Sequence, residues 1–222
     1  MNAVTEKNNF LYLVISLVFL LLAGALVDQF PNNIGHHIIQ AVTVITLAAG
    51  VAGFKTSKVW FHTGLGFAAL VLVVVVLNVL LDIAGLSYLH LFFLTTFYSW
   101  VTWLAARQVL FTGPIDGNKI IGAICIYLLM GLIWTMFYLF IAQAIPGAFN
   151  GLQHVVWYDN FADVAYYSFV TLTTLGYGDI SPVAPVARFL VYMEAIVGVF
   201  YMAILVASLI GVKISAVQAD KE

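Results

Sequence analysis

With 222 residues, of which 64% are hydrophobic and only 8% charged, and a mean hydropathy of +1.07, the chain is excluded from the water-soluble folds and reads as an integral membrane protein. A formal net charge of −2, with no basic run and no aromatic stacking platform, leaves no footprint for nucleic acid as a partner. The one cysteine, Cys125, sits inside an apolar segment, so no internal disulfide or multi-cysteine metal site can form, and it reads as a small hydrophobe.

The first apolar run, 10–27, holds eighteen residues without a charge, which suits a spanning helix of about 20 residues. Ala23-Gly24-Ala25 resembles a signal cleavage site. The run exceeds the usual length of a signal core, however, and Glu6 and Lys7 cancel in the leader, so a retained helix is expected. Further spans are expected at 34–54, 59–83, 87–111, 119–145 and 183–212. Turn-forming residues punctuate them: Pro31-Asn32-Asn33, Lys55 to Lys58, Ala84-Gly85, Gly113 to Asn118 and Pro146-Gly147. Each run far exceeds a membrane strand of about 10 residues, so all are read as helix. His36, His37 and His90 begin outer helix ends, where a solvated histidine is ordinary, and no third ligand follows at metal-binding spacing. Asn78 reads as an inter-helix hydrogen-bonding residue, while His154 and Trp157, outside the membrane, have no assigned role.

Segment 160–172 cannot cross. It starts with cap-like Asn160, carries Asp163 in its first turn, and reads as a half-length helix that dips into the membrane. The chain at 173–178 then returns as non-helical backbone, tolerated at that depth only where protein surrounds it and water or ions line it. The stretch from Thr171 to Asp179 reads Thr-Leu-Thr-Thr-Leu-Gly-Tyr-Gly-Asp. Carbonyls of Thr174, Leu175, Gly176 and Tyr177, with the Thr174 hydroxyl, could replace the water shell of a cation if all faced one axis. That requires alternating backbone handedness, which Gly176 and Gly178 permit because they have no Cβ. One copy supplies one wall, so four copies are needed for a ring.

Charge tests the topology independently. With a cytoplasmic N-terminus, Lys7, Lys55, Lys58, Arg107, Lys119, Lys213 and Lys221 fall inside and only Arg188 outside, so seven of the eight basic residues obey the positive-inside rule. Asp28, Asp82, Asp159, Asp163 and Asp179 fall outside, and both termini are expected in the cytoplasm.

Thr-Thr-Leu-Gly-Tyr-Gly-Asp, residues 173–179, resembles the selectivity filter of the potassium-channel family. The departure is Leu175, where most members have Val; its carbonyl is unchanged, and the extra methylene bears on filter stability or inactivation. The resemblance implies an all-α membrane protein with six transmembrane helices, a reentrant pore helix and filter, assembled as a four-fold homotetramer in the cell membrane and conducting K⁺. It implies a peripheral four-helix unit at 1–112 and a pore domain at 113–222. Tyr166 and Tyr167 take the positions of an aromatic pair that holds the filter's width, with Tyr166 donating to Asp179. Val170 stands where some relatives keep a buried glutamate. Gly198, twenty-four residues after Thr174, matches the inner-helix hinge, though a small residue there also serves close packing. In family register, Ala203, Val206, Ala207 and Ile210 face the inner cavity, and Ile210 or Ile214 could form an apolar gate.

Glu194 lies between the start of the last helix and the hinge, where an ionised carboxylate is expensive. It is a candidate pH-sensitive acid or a structural acid accepting from a tyrosine such as Tyr138. The fourth span resembles a voltage-sensor helix in order alone, since it carries one arginine, Arg107, near its cytoplasmic end, an interfacial anchor rather than a gating charge. The short link 113–118 offers no lever helix, so voltage gating is the secondary reading. Membrane lipid or a separate regulatory protein is left as the source of control. Neither a phosphate loop nor paired catalytic acids nor a nucleophile with a base is visible, so no enzyme activity and no cofactor beyond K⁺ as the permeant ion are expected.

Overall fold

A computed structural model describes residues 9–27, 43, 45–48, 50–51, 58–81, 84–111, 117–152 and 157–219. They form helices α1 (Asn9–Val27), α2 (Lys58–Leu81), α3 (Ala84–Phe111), α4 (Gly117–Ala144), α5 (Phe161–Leu172) and α6 (Pro185–Ala219). Apolar side chains wrap right round them. On α1, Leu13, Leu17 and Leu20 are buried while Ile15, Val18, Phe19 and Leu22 face outward, the pattern of a helix solvated by lipid. Among the described residues, Gly85–Val109, Gly117–Ala144 and Pro185–Leu205 are long and apolar enough to cross a membrane, and Phe10–Leu26 and Phe61–Leu77 are shorter apolar helices. The spans expected at 10–27, 59–83, 87–111, 119–145 and 183–212 correspond to α1, α2, α3, α4 and α6. The second, 34–54, lies mostly outside the described residues, of which 43, 45–48 and 50–51 are helical.

Two boundaries differ from expectation for local reasons. Gly117 and Asn118, read as turn residues, already belong to the first turn of α4. α6 begins at Pro185, whose fixed φ suits a first helical position, because Ser181 and Pro182 just before it are held in a strand pair. That pair, β1 (Phe149–Asn150) with β2 (Ser181–Pro182), is antiparallel and sets Phe149 opposite Pro182 and Asn150 opposite Ser181. It corrects the all-α expectation in a small way. The Ala148 carbonyl accepts from the backbone N–H groups of Val183 at 2.8 Å and Ala184 at 3.2 Å, so the chain entering the reentrant segment is stapled to the chain leaving it.

α4 is the central helix, with α1, α3, α5 and α6 packed on it. α3 and α4 form an antiparallel hairpin in contact near both ends: Tyr88 donates to the Gln143 carbonyl at 3.0 Å, and Val109 lies over Gly122. Phe97, Tyr98 and Val101 of α3 and Leu129, Leu132 and Met136 of α4 are buried in one core with Phe10, Leu13 and Leu17 of α1. α1 also reaches the reentrant helix, where the Phe161 ring closes on Gly24. His90 corrects the expectation of a solvated histidine: it is 1% exposed, its ring edge-on to the buried Trp157 at 5.0 Å. An aromatic partner from the chain before α5 supplies apolar cover that the α3 sequence does not reveal. Among the described residues no three His, Cys, Asp or Glu gather as a metal site. His36, His37 and His154 lie outside the described residues.

Replacing Tyr88 by Phe removes one hydroxyl joining the two hairpin helices at their outer end. Thermal unfolding in detergent should register a loss of about 1 kcal/mol.

Candidate ion-conduction site

The twelve residues of α5 rise about 18 Å, little more than half of a hydrocarbon core of about 30 Å, so the helix ends at membrane depth. Asp163 stands in its first turn as expected. Asn160 occupies the N-cap position, but its side chain makes no capping bond; its carbonyl accepts from the Val164 N–H at 2.9 Å. At the other end the chain doubles back on the last turn. Thr173 donates its N–H to the Phe169 carbonyl at 3.1 Å and its hydroxyl to the same oxygen at 2.7 Å. Leu175 and Gly176 both donate to the Val170 carbonyl, at 2.9 and 3.3 Å. Val170 therefore supports the segment through its backbone oxygen, whatever its side chain.

Beyond this turn the backbone alternates. Gly176 and Gly178 have φ of +57° and +85°, the left-handed values expected of them, and Thr174 has +59°, while Leu175 and Tyr177 are not left-handed. Thr174 went unforeseen, since a left-handed threonine costs roughly 1–2 kcal/mol and nothing in its residue type announces it. Its position two before Gly176 is the only signal. Residues 173–179 are all exposed, with Leu175 at 56% and Tyr177 at 67%. Exposed non-helical backbone is untenable against lipid, so this face must meet protein, water or ions.

The supporting tyrosines divide. Tyr166 donates to Asp179 Oδ2 at 2.8 Å, and its ring stacks parallel to that of Tyr177 with centroids 6.4 Å apart. That hydroxyl holds the Asp179 carboxyl below the usual carboxylate range, so this group is ionised at neutral pH. Tyr167 turns the other way and is buried against Tyr138 and Phe149, at 5.4 and 5.7 Å. Of the pair, Tyr166 thus touches the segment itself, while Tyr167 fastens the other side of α5 to α4 and β1.

Behind the segment lies Glu194, fully buried on α6. Its Oε1 lies 2.6 Å from Ser168 Oγ of α5 and its Oε2 accepts from the Tyr138 hydroxyl of α4, and Ser168 Oγ also lies 2.8 Å from the Gly131 carbonyl. The tyrosine partner was expected. Ser168 was not, because a serine within a helix carries no distinctive pattern. Four residues further along both helices, Gly198 meets Leu172: a Cβ on Gly198 would stand 2.2 Å from the Leu172 carbonyl oxygen. Close approach is therefore a requirement at Gly198, independent of any bending. The same carbonyl accepts from Tyr127 at 3.3 Å. Farther along α6, Ala203 and Ala207 are exposed, whereas Val206, Ile210 and Ile214 lie on the helix with side chains outside the described set.

Residues 122–213, spanning α4, α5, the filter-like stretch and most of α6, match the model of a family described as ion channel. This part of the chain is thus similar to a family of ion channels of the potassium-channel-like type. Comparison with curated proteins and with solved structures finds no match to the chain. The match bears out the family inferred from residues 173–179, and it assigns the channel fold to the segment that holds the alternating backbone.

Two substitutions separate packing from conduction. Gly198→Ala forces the α6 backbone away from Leu172 and should cost about 1–3 kcal/mol in thermal unfolding, as overpacking does elsewhere. Tyr166→Phe leaves the fold intact but frees Asp179, and macroscopic current should decay faster during sustained opening than in the parent channel.

Proposed function

We propose that the chain is the subunit of a homotetrameric, potassium-selective channel through which K⁺ passes without energy input. The permeant ion would be held by the carbonyl oxygens of Thr174, Leu175, Gly176 and Tyr177 and by the Thr174 hydroxyl, with Gly178 completing the alternation. The observation that carries this reading is the stretch with left-handed backbone at Thr174, Gly176 and Gly178, open to the outside of a single chain at the foot of a helix that stops at membrane depth. Left-handed residues at every second position turn successive carbonyls toward one side, the arrangement an ion without its water shell requires. The aligned dipoles of α5 end there too, with their negative pole favouring a cation.

Four copies are supported by what one copy leaves uncovered. Only 11% of the membrane-length window of α6 is buried, against 50% for α4, and its outward residues include Phe189, Tyr192, Phe200 and Met202. In this reading residues 113–222 form the pore domain and 1–112 a peripheral membrane unit of four helices, giving six spans in the cell membrane with both termini in the cytoplasm. The distribution of basic residues supports that orientation. Lipid surrounds the assembly.

Voltage is not the opening stimulus in this proposal. Arg107 is exposed and lies over the Trp103 ring at 5.6 Å, an interfacial anchor, and one charge in 100 mV supplies at most about 2.3 kcal/mol. Ala203, Val206, Ala207, Ile210 and Ile214 would line the inner cavity and its gate.

Purified protein in liposomes with opposed K⁺ and Na⁺ gradients should reverse near the K⁺ equilibrium potential. A reversal potential near the Na⁺ value, or no current from single-channel recordings, would remove the proposal in favour of a different channel or a non-conducting subunit. Gly176→Ala puts a Cβ at φ +57° in every copy, and K⁺ preference should be lost while the tetramer persists.

A further inference from the structure

The hydrogens around Glu194 do not balance if its carboxylate is ionised. Three contacts meet there: the Tyr138 hydroxyl with Glu194 Oε2, Ser168 Oγ with Glu194 Oε1 at 2.6 Å, and Ser168 Oγ with the Gly131 carbonyl at 2.8 Å. A serine and a tyrosine hydroxyl each supply one hydrogen, and a carboxylate supplies none. Two hydrogens would then serve three contacts, leaving either Ser168 and Gly131 or Ser168 and Glu194 as bare oxygens within hydrogen-bonding distance. A protonated carboxyl supplies the third. Glu194 then donates to Ser168, Ser168 donates to Gly131, and Tyr138 donates to Glu194, so every contact has its hydrogen.

We infer that Glu194 is a neutral, proton-donating positioning residue that ties the inner helix α6 to the pore helix α5 and the outer helix α4, and so fixes where α5 presents the filter. This rests on the channel reading above. The site is closed and lacks a counter-charge: Glu194 is fully buried, and no basic side chain among the described residues pairs with it. The titratable groups facing it are Tyr138 and Tyr127 of α4 and Tyr167 of α5, all hydroxyls. An unpaired charge in such surroundings would be strongly destabilising, whereas a neutral acid among hydroxyls is an ordinary buried network. The position gives the network its reach. Ser168 is one turn before Leu172, the last residue of α5, and two residues before Val170, whose carbonyl holds the N–H groups of Leu175 and Gly176. A shift of α5 at Ser168 is thus passed to the filter backbone through two bonds.

The deciding variant is Glu194→Gln, tested in full-length protein reconstituted in liposomes. Its amide N–H donates to Ser168 and its amide oxygen accepts from Tyr138, reproducing the neutral acid and not the carboxylate. The K⁺ over Na⁺ permeability ratio of E194Q should stay within about twofold of the parent, while E194L and Ser168→Ala should lower it by about tenfold, the scale of one or two buried hydrogen bonds. Infrared spectra of the parent should show a protonated-carboxyl band that E194Q lacks. An E194Q channel as damaged as E194L would overturn the neutral acid in favour of a working negative charge. An E194L tetramer with unaltered permeability would overturn the positioning role. A parent spectrum identical to that of E194Q in the carboxyl region would also overturn the protonated state, even if the parent proved unselective and the channel reading itself had failed.

Discussion

An exposed peptide backbone at membrane depth is the constraint to which the surrounding structure answers. In lipid each unpaired N–H or C=O costs several kcal/mol, so residues 173–178 can exist only if their N–H groups are tied from behind and their carbonyls meet something polar in front. The last turn of α5 meets the first condition from Thr173 to Gly176, with the Phe169 carbonyl accepting from Thr173, that of Thr171 from Thr174, and that of Val170 from Leu175 and Gly176. The strand pair of Phe149–Asn150 with Ser181–Pro182 closes the loop above, and Tyr166 anchors Asp179 at the outer end. Among the described residues of one chain nothing covers the second, since 173–179 are all exposed. That gap is the physical case for proposing copies around an ion-filled axis.

The helices ahead of the channel domain engage it directly. α3 lies along α4 as a hairpin partner bonded at Tyr88, and α1 touches both α4 and the start of α5. A lever acting through a linker helix would need a sensor free to slide against the pore. Here the helix that would slide is joined along its length to the helix it would push. The contact between Phe161 and Gly24 instead joins α1 directly to the start of α5.

Much of this was legible in the sequence, because lipid imposes simple rules. Long apolar runs located α1, α2, α3, α4 and α6 to within a few residues, except at the far end of α6, and two glycines in Gly-Tyr-Gly announced the left-handed positions they occupy. The Tyr166 to Asp179 bond followed from family register, and the Tyr138 to Glu194 bond from the cost of a buried acid. Features that depend on a third element stayed hidden. The burial of His90 needs Trp157, sixty-seven residues away in sequence; the left-handed Thr174 needs the α5 end that forces it; Ser168 has meaning only beside Glu194. The short strand pair was invisible because two residues have no periodicity.

The two contacts between α5 and α6 also limit where the inner helix can bend. Ser168 meets Glu194 and Leu172 meets Gly198, an advance of four residues on both helices, so the two run locally in the same direction and stay in register over one turn. Up to Gly198, α6 is therefore fastened to α5, the helix that leads into residues 173–178. Immediately below it, Tyr201 donates to the Ala123 carbonyl of α4 at 2.7 Å and stacks on Tyr127. A bend at Gly198 would leave the upper contacts in place and would have to break or carry along that tyrosine tie. The glycine that allows α6 to touch Leu172 thus also ends the register held between α5 and α6, and motion of α6 from Ala203 onward would reach Leu172 through Tyr201, which stacks on the Tyr127 that donates to the Leu172 carbonyl.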